Sequence, residues 1–111
     1  MPHIIVEYTD HLNVDIEKLT IELHHTLCHQ PTVTAQAVKT RALPVKATVV
    51  GEGKDHDKMI HICLKLLPGR DDNLRKAMAQ ALCDTARKIA MDEHITISVE
   101  TAELHAPSYI K

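Results

Sequence analysis

A proline stands directly behind the initiator methionine, at the head of the apolar run His3-Ile4-Ile5-Val6. Removal of Met1 turns the Pro2 nitrogen into a free secondary amine, a base built from the backbone itself. The pyrrolidine ring fixes φ, and a strand start removes much of the freedom of an ordinary terminus. Proline in second place also occurs where only the methionine is lost, so the chemistry needs partner groups to carry it. Three cations offer themselves. Lys39 and Arg41, at i and i+2, share one face of an extended segment, and Arg70 follows the turn Pro68-Gly69. Taken singly each is a solvated surface charge. Gathered around a terminal amine they suit a substrate with several carboxylates, because guanidinium groups bind carboxylate bidentately.

Metal chemistry is the competing use of reactive side chains here. Nine histidines and the thiols of Cys28, Cys63 and Cys83 are present, with His25 and His29 one helical turn apart beside Cys28. A zinc-type site needs three or four converging ligands, no second His/Cys cluster answers this one, and no Cys-x-x-Cys pair occurs. The expectation is therefore no metal and three reduced thiols.

Composition narrows the classes further. The 111 residues suit one domain spanning 1–111, whose core has to be aliphatic because the chain holds two Tyr, no Phe and no Trp. A formal charge of −2 with acids and bases interspersed gives no footprint for nucleic acid or an anionic membrane. No apolar run approaches the roughly 20 residues of a membrane span, and the first residues lack the regions of a signal peptide, which points to the cytoplasm.

The elements that must position these groups follow in order. Residues 3–8 form a strand that is apolar on both faces. Asn13 is the expected N-cap of a helix whose face runs through Leu12, Ile16, Leu19, Leu23 and Leu27 and which ends before Pro31. Residues 37–50 read as an extended stretch interrupted at Pro44, and Gly51 to Lys58 as a loop. The pattern then restarts. Met59 to Leu67 is a strand, Asp71 caps a helix with Leu74, Met78, Ala81, Leu82, Thr85 and Ile89 on one face, and residues 95–103 alternate through Ile95, Ile97 and Val99.

Two β-α-β pseudo-repeats, 2–50 and 59–104, thus predict an α+β two-layer fold: a four-stranded mixed sheet with two helices on one face. If the first strands of the two units pair antiparallel at the centre, Pro2, Lys39, Arg41 and Arg70 meet at one end of the sheet. Strands apolar on the uncovered face would leave a large exposed apolar patch, so a partner subunit is expected to cover it.

Four segments carry a family resemblance: Pro2-His3-Ile4-Ile5-Val6-Glu7-Tyr8, Lys39-Thr40-Arg41, Leu67-Pro68-Gly69-Arg70 and Val99-Glu100-Thr101-Ala102-Glu103-Leu104-His105. Together they resemble the 5-carboxymethyl-2-hydroxymuconate isomerases of the tautomerase superfamily, from residue 2 to about 107. The resemblance implies the tautomerase fold, a homotrimer without cofactor, and a cytoplasmic enzyme of bacterial homoprotocatechuate breakdown. It also implies Pro2 as general base and Arg70, with Lys39 and Arg41, as the residues holding a muconate di- or tricarboxylate. Lys39 departs from a relative that has arginine there, and lysine lacks the planar fork of arginine.

The chemistry is consistent from first principles. An α-amino group with a reference pKa of about 7.7–8.0 is lowered by neighbouring cations and desolvation, which leaves the neutral amine a base requires near pH 7. The alternatives are another tautomerase-superfamily activity, such as a phenylpyruvate-type tautomerase or a hydratase, and a non-enzymatic trimeric binding protein if Met1 is retained. A His-rich metal-binding protein is the third alternative.

Overall fold

The fold is built around one hydrophobic seam. Along β1 (His3–Thr9), Ile4 and Val6 point to one side and are fully buried, and the antiparallel neighbour β3 (Lys58–Leu66) sets Leu64 and Ile62 opposite them. Strands β2 (Lys39–Val45) and β4 (Ile95–Glu103) flank this pair, each parallel to the first strand of its own unit, so the order is β2-β1-β3-β4. Helices α1 (Ile16–Cys28) and α2 (Asp72–Ile89) pack against each other and against the same side of the sheet. They bring Leu19, Leu23 and Leu27, and Met78, Leu82 and Ala86, onto the seam. The computed structural model describes Met1 to Lys111, and the architecture is the expected two-layer α+β arrangement. No helix is long and apolar enough to cross a membrane.

The core is aliphatic: each β-α-β crossover lays one amphipathic helix on the sheet, and Ile, Leu, Val, Met and Ala side chains fill the space between the layers. A hydroxyl pair, Thr26 Oγ1 and Thr85 Oγ1 at 2.7 Å, joins the two helices.

Several element boundaries differ from the expectation, each for a local reason. The N-cap of α1 is Asp15, whose carboxylate accepts from the Lys18 amide at 3.0 Å, and not Asn13. Leu12 and Val14 both pack against the core, and residues two apart reach one side only in extended chain, which delays the helix. Asp71 caps α2 as expected, accepting from the Leu74 amide at 2.8 Å. Asp15→Ala is accordingly expected to lower unfolding free energy by about 1 kcal/mol and Asn13→Ala by far less, as measured by urea denaturation.

The stretch expected over 37–50 is shorter in the structure. A 3-10 turn occupies Ala35–Ala37, the strand runs from Lys39 to Val45, and residues 46–50 lie outside it. Their alternation suits a strand, but β1 ends at Thr9, opposite Val45, and leaves them nothing to pair with. Pro44 lies inside β2, which tolerates it as an edge strand. β3 is shifted by one residue from the expected Met59–Leu67, starting at Lys58 and ending at Leu66.

The larger correction concerns the uncovered face. Ile60, Ile62 and Leu64, expected to extend an apolar surface there, are fully buried on the helix side. The open face alternates with them and carries His3, Glu7, Lys39, Arg41, His61 and Lys65, with Ile5, Leu43 and Cys63 between. His61 joins Ser98 at 2.6 Å and Glu100 across this face. It is a polar surface with a narrow apolar strip, because period-two alternation sends Ile60, Ile62, Leu64 and Leu66 of β3 to the helix side.

Candidate active site

Strand pairing delivers the groups at one end of the sheet. The parallel β1/β2 pair puts Lys39 beside His3, and the antiparallel β1/β3 pair puts Lys65 on its other side. The Pro2 carbonyl accepts from the Lys39 amide at 3.0 Å, so the residue before β1 is tied to the neighbouring strand. Pro2 is buried. With Met1 in place its nitrogen is an amide, and the free amine of the chain belongs to Met1. Partial burial holds that ammonium below its usual range, and the charges of Lys111, Arg70 and Lys39 lower it further.

Arg70 lies in the turn between β3 and α2. Its Nε donates to Thr32 Oγ1 at 2.9 Å and its Nη2 to the Thr32 carbonyl at 3.0 Å. One edge of the guanidinium is thereby fixed to the loop before β2, and Nη1 takes no part in either bond. Thr32 has φ of 67°, a left-handed conformation unusual for a β-branched residue, so the loop that presents its carbonyl to Arg70 is itself held in an uncommon shape.

Arg41 sits one pleat along β2 from Lys39, on the open face, and its Nη1 donates to His3 Nδ1 at 2.9 Å. His3 in turn meets Tyr109 near the end of the chain, Nε2 to Oη at 2.7 Å. Burial first, then Arg41, Lys39, the amino terminus and Lys65, push the His3 pKa down from its ordinary value. The structure therefore gathers Lys39 and Arg70 around the amino terminus and sets Arg41 in a second contact through His3. Lys111 and Tyr109 were not legible in the sequence, since no spacing relates the last residues to the first. Only the fold of residues 104–111 back past β1, begun by the Leu104 amide bonding the Leu66 carbonyl at 2.7 Å, brings them there.

The histidine pair singled out in the sequence holds no ligand set. His29 Nδ1 bonds the His25 carbonyl at 2.7 Å, Cys28 Sγ faces the Ala35 carbonyl at 4.0 Å, and neighbouring His24 bonds Thr40. Three groups that the sequence did not connect, His56, Asp57 and His94, do stand within 4.8 Å of one another. They are joined by the Lys58 amide bonding the His94 carbonyl at the start of β3, the end of the sheet opposite the amino terminus.

A sheet of two parallel pairs joined antiparallel, with both helices on one side and a proline leading the central strand, defines the tautomerase fold. The chain belongs to the 5-carboxymethyl-2-hydroxymuconate isomerase family, whose model matches residues 2–111, and this membership places it among the isomerases. The chain is similar in structure to a 5-carboxymethyl-2-hydroxymuconate isomerase from Deinococcus radiodurans R1, with TM-score 0.85 and 22% identity over 99% of this chain and 87% of that one. A 5-carboxymethyl-2-hydroxymuconate delta-isomerase superposes with TM-score 0.86 and 13% identity over 100% and 87%. A fused 4-OT wild-type symmetric trimer does so with TM-score 0.71 and 15% identity over 91% and 85%. None of the curated proteins matches the chain.

Proposed function

We propose that the protein moves a proton within a 2-hydroxymuconate-type di- or tricarboxylate, 5-carboxymethyl-2-hydroxymuconate being the substrate the family suggests, in cytoplasmic breakdown of aromatic compounds. Pro2, freed by loss of Met1, is the general base. The observation that carries this reading is the amino terminus itself, whose ammonium is lowered by burial and by Lys111, Arg70 and Lys39. The same charges lie one residue away from the Pro2 nitrogen and favour its neutral amine, the form that a general base requires.

The amine takes a proton from the 2-hydroxyl group or the allylic carbon and returns it at the other end of the conjugated system. Electron density moves onto carboxylate and enolate oxygens in between, and the preorganised cations stabilise it there. Arg70 is the principal carboxylate ligand, with its fork anchored on Thr32 and Nη1 turned to substrate; Lys39 and Arg41 assist. A proton leaves and a proton returns, so the cycle needs neither oxidant nor metal. Turnover of this muconate by protein of verified intact mass tests the reading. Turnover of phenylpyruvate enol alone would assign the site to the alternative superfamily activity.

The working form is a homotrimer without a nucleic-acid or membrane partner. A structural relative described as a symmetric trimer supports the threefold assembly. A base that must work in a desolvated site gains its walls from neighbouring copies. Sedimentation equilibrium at micromolar concentration is expected to give three times the chain mass of 12.4 kDa; a stable monomer would overturn the assembly.

A further inference from the structure

We infer that Tyr109 is a substrate-facing hydrogen-bond donor of this site, and that Arg41 and His3 hold it in the donor state. The inference rests on the Pro2 reading for its location and on two contacts for its chemistry. Arginine can only donate, so the 2.9 Å contact from Arg41 Nη1 obliges His3 Nδ1 to accept. A ring whose Nδ1 accepts from a guanidinium is neutral, and burial and the surrounding cations lower its pKa in the same sense. A neutral imidazole that accepts at Nδ1 carries its proton on Nε2. That proton is donated to Tyr109 Oη at 2.7 Å.

The tyrosine oxygen is thus used as an acceptor, and its own O–H must point elsewhere. His3 is the one side chain bonded to that oxygen. The ring stands edge-on to His3, with centroids 6.0 Å apart and planes at 83°, and the turn Ala106–Ser108 fixes its backbone through the Tyr109 amide to the Ala106 carbonyl. Two residues further on, Lys111 is the first of the charges acting on the amino terminus, so this segment forms the rim of the site. His3, its partner, is the neighbour of Pro2 in sequence.

A phenol there has an advantage over a further cation. Its O–H can donate to a carboxylate or dienolate oxygen of an unsaturated polycarboxylate, favouring the charge as it develops. Being neutral, it does not lower the Pro2 amine further and so leaves the base its strength. The chain Arg41 to His3 to Tyr109 also gives Arg41 a role different from Arg70: it positions a donor through His3 while its remaining N–H groups stay available.

The test compares Tyr109→Phe, His3→Leu and His3→Gln with the Met1-free protein. Tyr109→Phe should lower kcat/KM for 5-carboxymethyl-2-hydroxymuconate by about ten- to a hundredfold, the scale of one hydrogen bond to a charged group, and leave the amine limb of the pH profile in place. His3→Leu should lose as much, the double variant no more than either, and His3→Gln should recover most, since an amide can accept from Arg41 and donate to Tyr109. Calorimetry with trans,trans-muconate, an unreactive dicarboxylate, should show affinity weakened to a similar degree in Tyr109→Phe with an unchanged circular dichroism spectrum. Undiminished kcat/KM and undiminished muconate affinity in Tyr109→Phe would overturn the inference. If the wild type does not turn over the substrate, the proposed substrate falls, and muconate affinity alone still decides for or against Tyr109.

Discussion

Protein that keeps Met1 is expected to be inactive toward 5-carboxymethyl-2-hydroxymuconate while retaining its fold, and the same chain without Met1 is expected to turn over. Acylation takes the lone pair of the Pro2 nitrogen into an amide but adds one residue at a partly exposed position, so the loss is chemical and not structural. The difference should reach the 10²–10⁴-fold that a positioned base contributes, about 3–5 kcal/mol in the barrier. Pro2→Ala should be milder, because a primary amine remains nearby without the ring that fixes it.

The pH profile carries the sign of the mechanism. A base works in its deprotonated form, so kcat/KM should climb with pH through the amine pKa and level off above it. Burial and the charges of Lys111, Arg70 and Lys39 lower the terminal ammonium, so the climb should lie below the usual range of an α-amino group. Removing a cation, as in Lys111→Ala, should move it to higher pH. Full activity in a homogeneous sample bearing Met1, shown by intact mass, would remove Pro2 from the mechanism.

Arg70→Ala is expected to lower kcat/KM for a polycarboxylate by about 2–5 kcal/mol, roughly thirty- to several-thousandfold, and Lys39→Ala by less. The ranking follows from geometry. Arg70 is preorganised, its Nε and Nη2 spent on Thr32 and its plane fixed before substrate arrives. Lys39 is exposed on a flexible stem whose ammonium only reaches the Ala37 carbonyl at 3.4 Å, so ordering it costs more and returns less. Arg70 also braces the loop at Thr32, and Thr32→Ala separates the two roles: it removes the Oγ1 contact without removing the charge. A Thr32→Ala loss equal to that of Arg70→Ala would assign Arg70 to loop support, and equal small losses in Arg70→Ala and Lys39→Ala would make both surface charges.

Much of the fold was legible because local patterns and the global arrangement agree. Leu19, Leu23 and Leu27 recur at the helical period, Ile95, Ile97 and Val99 at the strand period, and Asp71 stands where α2 needs a cap. The order strand, helix, strand, twice over, leaves few topologies once right-handed crossovers are required. Arg70 and Lys39 could be placed near Pro2 from that topology alone, because strand pairing relates residues far apart in sequence by simple register.

What the sequence by itself determined is which residues of an element share a face and in what order the elements come, since these follow from period, propensity and capping within a few turns of chain. The tertiary structure decided everything that depends on where a neighbour stops. Residues 46–50 alternate as a strand does and are not one, because β1 ends at Thr9; Asn13 could cap a helix and does not, because Leu12 and Val14 pack first. The open face became polar because Ile60, Ile62 and Leu64 all turn to the helices, a choice of side that alternation leaves free until the helices are placed. Lys111 at the amino terminus and Tyr109 against His3 belong to the same class: contacts between the two ends of the chain carry no periodic signal, and only the packed sheet brings them together.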